Sequence, residues 1–516
     1  MTASPHTLPS PGLAPGRGPV IAIIGGGASG TLTAIHLLRA AAARQYPLRI
    51  ALIDRLGRHG LGEAYSTANP AHFLNALTAR MSGVAGDPDH LLRWASAAGL
   101  GGLEFLPRQA FGRYLQDTLA DAERRAAPLS RLSPVTSEVL AIRPGAAGRR
   151  MRLLLAGGAT LEADLAILAT GNRPPSPPVP FPDTPWCITN PWAPGALDAV
   201  RDGRPVVILG TGLTMLDVAT AVTADPRTTV RAVSRHGMLP QVHRGSGGPA
   251  DAIWLPALSD TGGPVRLPEL LWQVRSAMAS RPNHWQDVVD AVRPHVPSLW
   301  RRLTDRDKQL FVRHVARYWE VHRHRMPPAT ARRLTELRCT GRLSVLRGRV
   351  TGITEIPDRP ADPLASGSLA PGSLAAGPLT GGPLTGGPLT GGQRPERLRI
   401  RVDQDGSVTD LAAGWLINAT GPGSDLTRTS DPLLRDLLGQ GMVRPDPLRL
   451  GLDARPDGAV LDAAGTPSAT LFTLGPTLRG VRYETTAIPE IRDQAAALAA
   501  LLTAVPQARE HPGSAA

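Results

Sequence analysis

Two short segments combine residue types and spacing that could do chemistry. The first is Val20-Ile21-Ala22-Ile23-Ile24-Gly25-Gly26-Gly27-Ala28-Ser29-Gly30, and the second is Val206-Val207-Ile208-Leu209-Gly210-Thr211-Gly212-Leu213-Thr214-Met215. In each, an apolar run opens through glycines into a helical pattern. A strand, a tight turn and a helix N-terminus in that order present free backbone N–H groups that hold a pyrophosphate. Gly25, Gly27 and Gly30 have the spacing of that turn, with Ala28 and Ser29 opening the helix. Gly210, Gly212, Leu213 and Thr214 repeat it, with Met215 in place of the third glycine. Two such sites in one chain suggest two nucleotides that exchange electrons.

The strand after each turn ends differently. Arg49-Ile50-Ala51-Leu52-Ile53 ends in Asp54. A carboxylate there accepts hydrogen bonds from an adenosine ribose, as an FAD site requires, although an aspartate also suits an ordinary turn. The second copy ends Val233-Ser234-Arg235-His236 and has no acid at that place. Arg235 suits a 2′-phosphate, which favours NADPH over NADH with NADH still possible. Arg235 equally fits plain surface charge.

The elements that must position these residues recur in the same order. Met151–Leu155 alternates and leads to Leu165-Ala166-Ile167-Leu168-Ala169-Thr170-Gly171; Leu398–Val402 alternates and leads to Leu416-Ile417-Asn418-Ala419-Thr420-Gly421. The expected fold is α/β: two Rossmann-like dinucleotide-binding domains, each with a β-meander, plus an inserted helical subdomain. The first, FAD-binding, domain spans 19–175 and 424–503, with a Pro- and Trp-rich linker at 176–202. The second, NAD(P)H-binding, domain spans 203–263 and 342–423. A helical insertion occupies 264–341 and has no counterpart at that point of the first copy. Residues 361–394, where Pro378-Leu379-Thr380-Gly381-Gly382 recurs, read as a low-complexity disordered loop, and 1–18 and 504–516 as disordered tails.

Composition narrows the function classes. The 516 residues carry two cysteines, Cys187 and Cys339, too far apart for a C-x-x-C dithiol, so no local thiol relay is expected. The net charge of +13 is almost all arginine, with Lys308 the sole lysine. The basic residues are dispersed, and aromatics make up only 4 %. This disfavours nucleic acid as a partner and fits anionic cofactors. No apolar run is long enough to cross a bilayer, and the first residues lack the apolar core of a signal peptide. The expectation is a cytoplasmic protein without membrane or metal, whose oligomeric state is open.

Further candidates surround the glycine turns. Thr170 and Gly171, Thr420 and Gly421, and Gly475 at the end of a late apolar strand complete the two cofactor sites. Asn75 follows Phe73 and could hydrogen-bond a flavin ring, or simply cap a turn. Thr485-Thr486-Ala487 opens the final helix, so Thr486 and Ala487 could aim its positive end at the N1/O2 edge of a flavin; a plain threonine cap explains the same residues. His314, Tyr318, His322, His324 and Arg325 crowd one helix. His322 and His324 do not share a face, which argues against a metal. The cluster fits recognition of an anion, or merely the helix dipole.

These segments resemble the two-dinucleotide-binding flavoprotein superfamily, within it a bacterial branch of FAD/NAD(P)-binding proteins that includes urate hydroxylase-like and aspartate N-monooxygenase (nitrosuccinate-forming)-like enzymes. The resemblance rests on Gly25–Gly30, Gly60–Tyr65, His72–Asn75, Gly210–Thr214, Trp319–Arg325, Leu478–Gly480 and Pro489–Ile491. It implies FAD in the first domain and a nicotinamide cofactor in the second. It further implies a monooxygenase that uses O2 and, through a peroxyflavin, hydroxylates a small polar or anionic substrate. The F-x-G-x-x-x-H-x-x-x-W fingerprint of Baeyer–Villiger enzymes is missing. No side chain stands out as the acid–base catalyst. A reductase or dehydrogenase that keeps no oxygen, and a non-catalytic redox sensor, are the alternatives.

Overall fold

The computed structural model describes residues 18–145, 150–244, 263–357 and 396–504. The low-complexity loop, and the tails apart from Gly18 and Ala504, lie outside the described residues. The chain divides into two compact units: Met1–Pro175 with Leu239–Arg333 and Gly421–Ala516, and Ser176–Met238 with Leu334–Thr420.

The first unit is built on a six-stranded sheet. Its order is Ala459–Leu461, Pro467–Thr473, Leu165–Leu168, Val20–Ile24, Arg49–Asp54, Arg131–Thr136. Val20–Ile24 is central and pairs in parallel on both sides, Ile21 opposite Ile50 and Leu165. Parallel strands covered on both faces read as unbroken apolar runs, and every residue of Val20–Ile24 is buried. Each buried Val or Ile side chain there contributes roughly 1.5–3 kcal/mol. One face carries the helix Ala28–Arg44, packed against Arg108–Ala126 and the closing helix Ile488–Thr503 through Leu32, Ile35, Phe111, Ile491 and Leu498. The other face carries the meander Val139–Pro144, Met151–Leu155, Thr160–Ala163.

The second unit repeats this plan. Its sheet runs Leu343–Arg347, Val230–Ser234, Val206–Leu209, Trp415–Asn418, Cys187–Ile188. A second meander, Arg349–Glu355, Leu398–Gln404, Ser407–Ala413, covers it through Leu398, Ile400 and Val402. Residues 176–202, expected as a linker, pack into this unit. Cys187–Ile188 forms its edge strand. Trp186 sits edge-on to Trp415 under the Arg397 guanidinium, 3.2 Å from the Trp186 ring centre.

The helical stretch divides differently from its expected place. Residues 239–333 join the first unit, not the second domain or a separate insertion. The first copy also has an excursion between its second and third strands, including Arg108–Ala126. The two copies therefore share an insertion point, which the sequence hides because the two excursions differ in length and residue pattern.

Candidate functional site

The two glycine turns make the same hydrogen bonds at corresponding residues. Gly25 N donates to Ile53 O at 2.8 Å, and Gly210 N to Val233 O at 2.8 Å. Ala169 N donates to Ile24 O at 2.9 Å, and Ala419 N to Leu209 O at 2.8 Å. Gly25 has φ +113° and Gly210 φ +105°, a backbone that favours glycine. A Cβ at either would lie 2.3 Å from a carbonyl oxygen, of Ala169 or of Ala419. The copies part at the third position. A Cβ on Gly30 would stand 1.8 Å from Gly25 O, whereas Met215 is buried in the second copy. The first helix thus lies closer to its turn.

The middle glycines are the open ones. Gly27 and Gly212 are the N-caps of their helices, both extended and neither with a side-chain cap. A Cβ on Gly27 would meet only Gly62 Cα, at 3.5 Å, and one on Gly212 would meet nothing within 4 Å. The first-turn N–H groups there, of Ala28, Ser29 and Gly30 and of Leu213 and Thr214, face an uncapped space of the kind a phosphate fills. Gly60-Leu61-Gly62 folds back over the first turn, with Gly60 N donating to Gly26 O at 2.9 Å. The sequence reading did not place these residues in the site, although two extra glycines were the available signal.

Asp54 ends the neighbouring strand. Its carboxylate accepts from Gly26 N at 3.2 Å, Leu56 N at 2.9 Å and Arg58 N at 3.0 Å. It therefore ties the turn to the next loop. Ser234 holds the equivalent place. Its hydroxyl bonds the Thr211 hydroxyl at 2.9 Å and accepts from Gly237 N at 3.0 Å. Arg235 is exposed and corresponds to Arg55, which is exposed in the first copy.

Thr170 and Gly171 leave the strand Leu165–Leu168 beside Gly25. Thr170 Oγ1 is buried without a hydrogen-bond partner, while Thr420 Oγ1 donates to Asn418 Oδ1 at 2.7 Å. Thr420 and Gly421 fall on either side of the division between the units. Gly475 packs on the first helix, where its Cβ would lie 2.6 Å from Ser29 Oγ. A cleft in the first unit is lined by Gly171, Arg173, Gly423, Thr477, Arg479 and Thr486. The backbone carbonyl of Asn75 lies 2.9 Å from His243 Nε2.

The closing helix starts without a threonine cap. Its N-cap is Ala487, extended and with no side-chain hydrogen bond. Thr485 turns inward, its hydroxyl donating to Gly475 O at 2.8 Å and accepting from Gln494 Nε2 at 2.8 Å. Gln494 Oε1 accepts from Gly475 N at 2.9 Å. This fully satisfied buried network pins the helix start to Gly475 and leaves its N–H groups free.

Several side chains of the histidine- and arginine-rich helix are committed to the protein, whereas His314 and Tyr318 are exposed. Arg323 pairs with buried Glu484, its Nε at 2.6 Å, and Trp319 Nε1 donates to the other Glu484 oxygen at 2.7 Å. Arg325 pairs with Asp290 and stacks on Trp285. Burial, with Arg323, Arg293, Arg479 and Arg317 around it, holds His324 well below its usual pKa. Burial likewise pushes the Tyr483 hydroxyl up to about 12. Between Asp305–Leu310 and Ala316–Arg323 lies a π-helical turn, Phe311–Val315.

Residues 22–173 match a family model described as FAD-NAD(P)-binding. No curated protein matches the chain. Among solved structures it is similar to L-lysine 6-monooxygenase from Pseudomonas syringae, at 15% identity over 94% of this chain and 99% of that one, with a TM-score of 0.61. It is similar to reduced ornithine hydroxylase (PvdA) from Pseudomonas aeruginosa, at 14% identity over 94% and 98%, with a TM-score of 0.57. Kutzneria sp. 744 ornithine N-hydroxylase, with reduced FAD, NADP+ and L-ornithine, is similar at 17% identity over 95% and 99%, with a TM-score of 0.56. At these identities the likeness establishes the fold. Among the described residues there is no group of three or more His, Cys, Asp or Glu able to hold a metal, and no helix long and apolar enough to cross a membrane.

Proposed function

We propose that the chain is an FAD-dependent, NAD(P)H-consuming monooxygenase that hydroxylates a small polar molecule. The observation that carries this reading is the pair of matching turns, each with an open middle glycine at an uncapped helix N-terminus. The first turn suits FAD: Gly27 leaves room for the pyrophosphate, the orphaned Thr170 hydroxyl offers a hydrogen bond, and Asp54 ends the ribose-side strand. The second suits the nicotinamide nucleotide, and exposed Arg235 at the end of its second strand is the residue offered for a 2′-phosphate. Bound FAD supplies the hydride acceptor and the activation of O2. The chain's residues bind and orient. Backbone N–H groups from Ala28 to Gly30 would hold the FAD phosphate oxygens. Gly475, Thr485 and Gln494 fix the open start of the closing helix, where a positive helix end favours an electron-rich ring.

The match at residues 22–173 and the likeness to amine-hydroxylating enzymes support this reading. The overall conversion takes NADPH, a proton, O2 and substrate to NADP+, water and hydroxylated product. Ornithine and lysine, substrates named for the compared enzymes, are the first to test. Urate and aspartate follow, for the finer placement beside urate hydroxylase-like and aspartate N-monooxygenase-like enzymes. Purified protein is expected to be yellow and to be reduced by NADPH without O2. With O2 and a true substrate it forms product in step with NADPH consumed. If no candidate yields product and all consumed O2 appears as hydrogen peroxide, the protein is a reductase that inserts no oxygen.

A further inference from the structure

The helical stretch brought into the first unit grips the segment that leads into the closing helix. Arg293 forks onto Glu490, Nε at 2.8 Å and Nη2 at 3.0 Å. Arg323 and Trp319 share the Glu484 carboxylate. Arg479 Nη2 reaches Glu320 at 2.6 Å, and Trp300 Nε1 donates to Gly480 O at 2.7 Å. Carboxylates and guanidinia alternate between the two sides. Tyr483 lies between these contacts at φ +57°, a left-handed backbone that a bulky residue seldom adopts. Its partners, not local preference, therefore hold the segment.

Glu490 stands in the first turn of the closing helix. A carboxylate there would normally spend the positive helix end on itself. The Arg293 fork neutralises it, so the field of the uncapped end at Ala487 remains available to another anion. Thr486, the residue before this cap, lines the cleft that Gly171 also lines.

Resting on the proposed function, we propose that Arg293, Glu490 and Glu484 are positioning residues that set how strongly the flavin holds electrons. The Arg293–Glu490 pair sets the charge at the helix start, and the Glu484–Arg323 pair sets its place. The test is a reductive titration of flavin-loaded protein against a dye of known potential, with flavin content and thermal unfolding measured on the same samples.

Arg293→Gln leaves Glu490 uncompensated and is expected to lower the ratio of reduced to oxidised flavin at a fixed potential, roughly two- to five-fold. Glu490→Gln leaves Arg293 unopposed and is expected to raise that ratio by a similar factor. Glu484→Gln likewise leaves buried Arg323 unopposed and is expected to raise it. A merely structural role destabilises all three variants without shifts of opposite sign. If Glu484→Gln does not fold, the half-buried Arg293–Glu490 pair decides the matter. Flavin-loaded variants with unmoved potentials overturn this inference alone. A wild-type protein that binds no flavin overturns the proposed function, and this inference with it.

Discussion

Replacing Gly27 with alanine separates binding from folding at the first glycine turn. Gly27 has φ −72° and ψ −164°, which alanine adopts without strain. The new methyl meets only Gly62 Cα, at the ordinary contact distance of 3.5 Å. Fold stability is therefore expected to change by less than about 1 kcal/mol, and a stiffer unfolded chain even favours the variant. The methyl would fill the space over the first-turn N–H groups. Losing two charge-assisted hydrogen bonds of about 1.5–3 kcal/mol each weakens FAD binding by roughly 3–6 kcal/mol. That is a rise in Kd of roughly two to four powers of ten. The assay titrates FAD into apoprotein by fluorescence quenching, beside urea unfolding of the same apoprotein. Gly30→Ala is the control for folding, since its Cβ would stand 1.8 Å from Gly25 O and force the helix off the sheet. A Gly27→Ala protein that binds FAD with wild-type affinity would refute the phosphate cradle.

Gly212→Ala is the mirror experiment: flavin content stays, and the KM for NADPH rises by at least an order of magnitude in steady-state oxidation. Arg235→Ala raises the KM for NADPH roughly tenfold through loss of one charge-assisted bond and leaves NADH unchanged; equal effects on both nucleotides remove Arg235 from phosphate recognition. Burial holds His36 at a pKa of about 4 against an ordinary 6.5, with its ring 3.2 Å from Gly83 O. Between those values the unfolded chain binds the proton and the native one does not. Stability thus falls as pH drops from 6.5 toward 4, by about 3 kcal/mol in all, and this contribution levels off below. His36→Gln, which keeps a donor for Gly83 O, should flatten that part of the urea-unfolding profile against pH.

Much of this arrangement was legible in the sequence because its signals are local. Val20–Ile24 and Val206–Leu209 are continuous apolar runs, and a glycine at φ above +100° has few substitutes. The two meanders showed in the alternation of Met151–Leu155 and Leu398–Val402. What the sequence concealed depends on distant partners. Arg325 looked free to bind an anion, yet Asp290 takes it, and Glu484, far along the chain, takes its neighbour Arg323. The Arg323–Glu484, Arg293–Glu490 and Arg479–Glu320 pairs tie residues 239–333 to the first unit, against the boundary read from strand order. Thr486 looked like a helix cap, but the chain spends Thr485 inward on Gly475 and Gln494 and places the cap one residue beyond Thr486, at Ala487. Only a glutamine within the apolar stripe of Ile488, Ile491, Ala495 and Leu498 hinted at that network.

The π-helical turn at Phe311–Val315 has a consequence for how this region arose. Such a turn is an α-helix carrying one surplus residue. Each residue advances the helix by about 100°. The surplus thus rotates everything after it by that angle relative to an uninterrupted helix. Trp319 and Arg323 are four apart and share the face that meets Glu484. Excising one residue from 311–315 would swing both toward another side and leave a buried carboxylate unmatched. The bulge is the phase adjustment that lets a helix rooted at Thr304 deliver its indole and guanidinium to a fixed target, and an ancestor lacking it would have needed a different clasp.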